Sequence, residues 1–62
     1  MITADTITDK QIRALRGQAL RASDDAVEEV CNCALYGDAG PSEEARDRCA
    51  EILNARANGG AA

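Results

Sequence analysis

Large aromatic side chains are almost absent from this sequence. Its 62 residues include no Phe, no Trp and a single Tyr, and most of the 45% hydrophobic content is alanine. Alanine buries little apolar area, and a chain of this length buries only about 60% of the surface that its unfolded form exposes. The sequence therefore predicts one small domain with a thin stability margin, for which homo-oligomerisation is an expected source of further stability.

Histidine, long apolar runs and an excess of positive charge are also absent. Without His there is no imidazole to serve as a fourth zinc ligand beside the three cysteines, and neither G-x-S-x-G nor a glycine-rich phosphate loop occurs. No apolar run approaches the roughly 20 residues of a membrane span. A net charge of −4 does not suit an ordinary nucleic-acid binder. These absences favour a protein that is not an enzyme, takes no cofactor or metal, and binds neither membranes nor nucleic acid directly.

The expected compartment is the cytoplasm. The first residues lack the positively charged segment and following apolar stretch of a signal peptide. Three cysteines are an odd number, which does not fit a secreted disulfide framework. We therefore expect a soluble intracellular chain whose thiols are kept reduced.

Three segments carry apolar residues at helical spacing, and a capping residue precedes each. Thr8 can cap the first segment and form a capping box with Gln11. Ser23 or Asp24 can cap the second, and Ser42 can cap the third. These signals predict three separate helices.

The boundaries follow from the caps and from the turn signals. We predict helices at about 9–22, 25–36 and 43–57, with Gly37 ending the second helix in the left-handed conformation. The apolar stripes are Ile12, Leu15, Ala19 and Ala22 in the first helix, Val27, Val30, Cys31, Ala34 and Leu35 in the second, and Ala45, Cys49, Ile52, Leu53 and Arg56 in the third. They predict an all-α, up-down-up three-helix bundle spanning 8–58, with a flexible N-terminal arm at 1–7 and a frayed tail at 59–62.

Two of the three cysteines fall at the centres of apolar stripes. Cys31 and Cys49 are predicted to be buried thiols on facing helices, where cysteine commonly acts as a small hydrophobe. The alternative is a disulfide or a shared metal site, which a reducing cytoplasm disfavours. Cys33 lies on the flank of its helix, about 200° around the axis from Cys31, so these two cannot bind one metal without breaking the helix. Cys33 is the candidate reactive thiol.

Positive charge is concentrated in the first helix. Residues 10–22 carry four cations and no acid, whereas residues 23–51 carry nine acids and two arginines. The acids fall on solvent-facing arcs, which is typical of a solvated surface. The cations either form interhelix ion pairs, each worth about 0–1 kcal/mol, or dock a partner by charge complementarity. Leu20 and Tyr36 fall outside the stripes, and together with Arg13 and Arg16 they are the candidate contact residues.

Most of the chain resembles a group of short proteins. The run ITDKQIRALR at 7–16 looks like the opening of short uncharacterised all-helical proteins from bacterial and phage or prophage genomes. Similar pieces follow at Val30-Cys31, Ala34-Leu35, Gly37-Asp38, Ala45-Arg46 and Cys49-Ala50, so that the likeness covers about residues 6–57. Gly40-Pro41-Ser42 and Cys33 look like additions to that pattern. The resemblance implies a phage-linked origin, and it carries no activity or functional residue with it.

These observations favour a small protein-interaction or assembly module. Its partner is a protein, either a second copy of the chain or a foreign one, such as a host protein modulated by a phage-encoded chain. Two alternatives stay open. One is an acidic mimic of nucleic acid that inhibits a DNA-binding protein, and the other is a thiol-based metal or redox peptide.

Overall fold

A computed structural model describes residues 1–37, 40 and 42–58 of the chain. This part forms three α-helices and no β-strand: α1 (Asp9–Arg21), α2 (Asp25–Tyr36) and α3 (Glu43–Ala57). The predicted all-α three-helix fold is confirmed, and α1 ends one residue earlier than the sequence indicates. The predicted frayed tail at 59–62 lies outside the described residues.

The helix α2 packs against both α1 and α3, which contact each other much less. Arg46, near the start of α3, pairs with Asp9 at the start of α1. Near the opposite ends of the same helices, Arg56 donates a hydrogen bond to Gln18 at 2.7 Å. The helices α1 and α3 therefore run in the same direction and α2 runs opposite to both, which is the up-down-up order.

A capping box and a hydrophobic contact fix the start of α1. The Thr8 hydroxyl accepts a hydrogen bond from the Gln11 N–H at 3.1 Å, and the Gln11 side chain accepts one from the Thr8 N–H at 2.8 Å. Ile7 precedes the cap and lies in the same core cluster as Ile12 in the first turn. The N–H groups of Thr8 and Gln11, which have no acceptor within the helix, are both hydrogen-bonded, and the apolar contact fixes the direction in which the chain enters α1.

Asp24 takes part in both the end of α1 and the start of α2. The Asp24 N–H donates to the Ala19 carbonyl at 2.8 Å and the Ser23 N–H donates to the Leu20 carbonyl at 3.3 Å, the pair of bonds found in a Schellman motif. Ser23 has a φ of 55°, the left-handed position that glycine usually occupies in this motif. The Asp24 carboxylate accepts from the Val27 N–H at 3.3 Å and caps α2. The connection between the helices is therefore tight and fully hydrogen-bonded.

The end of α2 differs from the prediction. Gly37 has a φ of −52°, so the expected left-handed stop is wrong. A Cβ at this position would lie 2.5 Å from the Gly40 main-chain oxygen, so glycine is required by a close approach of backbone. The Ser42 N–H donates to the Cys33 carbonyl at 3.1 Å, and the Ser42 hydroxyl accepts from the Ala45 N–H at 3.2 Å. Ser42 thus caps α3, as its position predicts, and also ties α3 to the last turn of α2.

The fully buried core is small. It consists of Ile7, Ile12, Leu15, Ala19, Cys31, Ala34, Cys49 and Ala50. Partly buried residues surround it: Ile2, Val27, Val30, Leu35, Ala45, Ile52 and Leu53. Ala22 and Arg56 are exposed although the stripes include them, because both lie where their helices end. Among the described residues, three large aliphatic side chains are fully buried, so the stability margin rests on little apolar area.

The N-terminal arm is docked against α3. The Ile2 N–H donates to the Asn54 side-chain oxygen at 2.8 Å, and the Asn54 amide returns a hydrogen bond to the Ile2 carbonyl at 2.7 Å. A turn follows, in which the Ile7 N–H donates to the Thr3 carbonyl at 2.9 Å. Arg46 then donates to the Ile7 carbonyl at 2.7 Å. The segment predicted to be a flexible arm therefore has two polar anchors and one buried side chain.

Candidate functional site

The outer face of α1 is cationic and exposed. We use this name for Lys10, Arg13, Ala14, Gly17, Leu20 and Arg21, which share one side of the helix. Within the described residues, no carboxylate lies within 4 Å of its three cations, and the ion pair present is Arg46–Asp9. Leu20 is 49% exposed between these charges. The face therefore combines unneutralised positive charge with an accessible apolar side chain.

Arg16 is placed differently from the other helix-1 cations. It is half-buried, and its Nε donates a hydrogen bond to the Asn32 side-chain oxygen at 2.7 Å. This bond joins the middle of α1 to α2. Arg16, a candidate contact residue from the sequence, therefore acts as a strut between helices and is not part of the outer face.

Tyr36 and Leu20 lie on two separate surfaces. Leu20 is near the end of α1, which a short turn joins to the start of α2, whereas Tyr36 is the last residue of α2. A helix of this length places its ends roughly 16 Å apart. Tyr36 is 65% exposed and borders an open cleft of about 220 Å³ together with Glu29 and Cys33. The structure therefore brings Arg13 and Leu20 together but leaves Tyr36 outside that surface.

The outer face of α3 carries the opposite charge. Glu43, Asp47 and Glu51 follow each other at intervals of four residues, with Glu44 alongside, and all four are exposed. We call these four residues the acidic face of α3. Three of them border an open depression of about 390 Å³ next to Ala4. The sequence pattern places these acids toward solvent, and their regular spacing was the signal that they form a continuous surface.

Cys31 and Cys49 meet at the α2–α3 interface. Both are fully buried, and their Sγ atoms are 3.9 Å apart. Burial in the apolar core, reinforced by the neighbouring Cys49, raises the pKa of the Cys31 thiol to about 12. Burial also raises the pKa of the Cys49 thiol. The two sulfurs are therefore held as neutral thiols, in contact with each other.

Cys33 is the exposed thiol of the three. It lies in an open groove of about 380 Å³ between α2 and the start of α3, beside Arg48 and the carboxylates of Glu29 and Glu44. Its accessibility is consistent with the predicted reactive thiol. Its reactivity itself stays a prediction.

Neither a metal-binding cluster nor a membrane-spanning helix lies in the described ranges, 1–37, 40 and 42–58. No three of their Cys, Asp and Glu side chains form a group that could hold a metal ion. No helix among them has the length and apolar character needed to cross a membrane.

Comparisons of the chain with family models, with curated proteins and with solved structures found no match.

Proposed function

We propose that this chain is a non-enzymatic protein-interaction module that docks through the outer face of α1. The observation that carries the proposal is the set of three exposed cations around Leu20, none of which has a carboxylate within 4 Å in the described part of the chain. Cations that serve only internal ion pairs would lie beside acids of their own bundle, as Arg46 does beside Asp9.

The occupant is the acidic face of α3 on a second copy of the chain. The outer face of α1 carries three positive charges and the acidic face carries four negative ones. At 1.5 Å per residue, Lys10 to Arg21 spans about 16 Å and Glu43 to Glu51 about 12 Å, so the two charged rows are similar in length. Complementary rows of this kind steer association and fix its register.

The charges also determine the symmetry of the contact. A two-fold contact between the α1 helices of two copies would place like charges against each other. In the contact that we propose, α1 of one copy pairs with α3 of the next, which leaves one free face of each kind on every dimer. The proposal is therefore an assembly module that adds copies head to tail.

Leu20 supplies the apolar part of the contact. Because about half of this side chain is exposed, its full burial would contribute roughly 1 kcal/mol. Gly17 lies one turn before it on the same face, and the small size of glycine allows a partner helix to approach closely. The contact thus combines an apolar side chain near the end of α1 with charged groups along the helix.

The charge on the outer face of α1 also argues against the alternative that the chain is a nucleic-acid mimic. A mimic works by presenting carboxylates in place of phosphates, and the acidic face of α3 fits that description. The three exposed cations on α1 do not, because they would repel a basic DNA-binding surface. The interaction module accounts for both faces at once.

The test is a charge exchange between the two faces, read by sedimentation and by the concentration dependence of the melting temperature. We expect Arg13→Glu or Asp47→Arg alone to weaken self-association. Combining the two substitutions in one chain should restore it, because the new carboxylate on α1 of one copy then faces the new cation on α3 of the next. Arg48→Glu changes the charge by the same amount outside the outer face of α1, and it should not weaken assembly.

A wild-type chain that stays monomeric over a hundredfold concentration range would exclude the second copy as occupant. The docking face would then be assigned to a foreign acidic protein. Capture of one host protein by the wild type and by Arg48→Glu, but not by Arg13→Glu, would support that assignment. Equal capture by all three chains, or by none, would overturn the docking role of α1.

A further inference from the structure

We propose that Cys31 and Cys49 are a site of covalent modification, at which a hydroperoxide converts the two thiols into a disulfide that clamps α2 to α3. This inference is independent of the docking function, and it rests on the placement of two sulfurs in the core.

The two sulfur atoms are close enough to form a disulfide after a small movement. The Sγ atoms are 3.9 Å apart, and a disulfide needs about 2.05 Å, so each sulfur must move by roughly 1 Å. The two cysteines lie on adjacent helices and are separated by 18 positions in sequence. Ala34 and Ala50 are also buried in this cluster.

Burial sets the conditions under which the site reacts. Neither thiol is accessible in the folded chain, and burial raises the pKa of Cys31 to about 12, so this sulfur is held as a neutral, unreactive thiol at pH 7. A hydroperoxide therefore reaches the sulfur only when α2 and α3 separate locally. Modification is slow in the intact bundle and faster whenever this interface opens.

The reaction balances with the hydroperoxide as the sole oxidant. One thiolate attacks the peroxide, the O–O bond breaks, and the products are a sulfenic acid and an alcohol. The second thiol then attacks the sulfenic sulfur, the S–S bond forms, and water leaves with its proton. Two sulfurs lose one electron each, and the peroxide takes up both electrons. Reclosing of the helices brings the second thiol to the sulfenic acid before further peroxide arrives.

The experiment uses the full chain carrying Cys33→Ser, which removes the exposed thiol and leaves only the pair. The reduced, folded protein is exposed to hydrogen peroxide, then denatured with a maleimide and examined by intact mass and peptide mapping. We expect loss of two hydrogen atoms, loss of both maleimide-reactive thiols and a peptide linking residues 31 and 49. The melting temperature should rise, because the bond constrains the unfolded chain. Low urea should accelerate the reaction by increasing local opening.

Two controls keep the outcome interpretable. Cys49→Ala in the same background leaves one core thiol, and it should gain oxygen atoms or remain unmodified; circular dichroism shows whether it is folded. The chain denatured in urea gives the peroxide concentration and treatment time at which both accessible thiols are oxidised. The proposal is overturned if the folded chain in low urea, treated with peroxide for many times as long as the denatured chain requires, keeps both thiols alkylatable. It is equally overturned if the folded chain gains oxygen without forming the cross-link.

Discussion

Asn54 holds the N-terminal arm on α3, and its replacement tests whether the arm is docked there. The Asn54 amide accepts from the Ile2 N–H at 2.8 Å and donates to the Ile2 carbonyl at 2.7 Å, in a half-buried setting. Each hydrogen bond contributes about 0.5–1.5 kcal/mol, so Asn54→Ala should lower the free energy of unfolding by roughly 2 kcal/mol. At about 4–8 °C per kcal/mol for a domain of this size, the melting temperature should fall by about 10 °C.

Matched variants separate the two hydrogen bonds from a general effect. Asn54→Asp keeps an acceptor for the Ile2 N–H but cannot donate to the Ile2 carbonyl, so it should also be destabilised. Asn58→Ala, at the exposed end of the same helix, should change the free energy of unfolding by less than about 0.5 kcal/mol. Urea unfolding measures these values, and hydrogen exchange at the Ile2 amide reports the docking directly. An unprotected Ile2 amide in the wild type, with Asn54→Ala as stable as Asn58→Ala, would refute the docked arm and support a flexible one.

Three further predictions concern the free energy of unfolding, measured in urea or by thermal unfolding. Gly17→Ala should stabilise the chain by about 1 kcal/mol, because the added Cβ meets nothing within 4 Å. Gly37→Ala should destabilise it by about 1–3 kcal/mol, because the added Cβ would lie 2.5 Å from the Gly40 main-chain oxygen. A Gly37→Ala chain more stable than the Gly17→Ala chain would contradict the loop geometry. Ser23→Gly should stabilise by about 1 kcal/mol, since φ is 55° there, and a loss of stability would refute the left-handed assignment. The pKa of Cys31 is about 12 in the folded chain, against an ordinary value of 9.0, so the unfolded chain loses this proton first as the pH rises. The contribution of Cys31 to the free energy of unfolding should therefore be intact below pH 9 and fall by about 1.4 kcal/mol per pH unit above it. Cys31→Ala should show a smaller decline at alkaline pH, and a decline identical to that of the wild type would refute the burial argument.

The candidate site was only partly visible in the sequence. Helical spacing was enough to place Arg13 and Leu20 on one exposed side of α1, because the angle between positions depends only on the helix. Arg16 has the same charge and a similar position, and only the partner helix decides that it bonds to Asn32. The 3.9 Å contact between Cys31 and Cys49 likewise depends on the register of α2 against α3. Each stripe predicts burial, but neither predicts a distance.

The sequence by itself determined the number, type and boundaries of the helices. Those features follow from local physics: caps at Thr8 and Ser42 satisfy free amides within one turn, and apolar spacing selects the buried side of each helix. Tertiary structure alone decided the rest. Asn54 reaches Ile2 across 52 positions, and Gly37 is required by the backbone of the returning loop and not by its own φ. Contacts between distant residues depend on how the elements pack, which no local pattern encodes, and the docking and cysteine proposals both rest on contacts or faces of this kind.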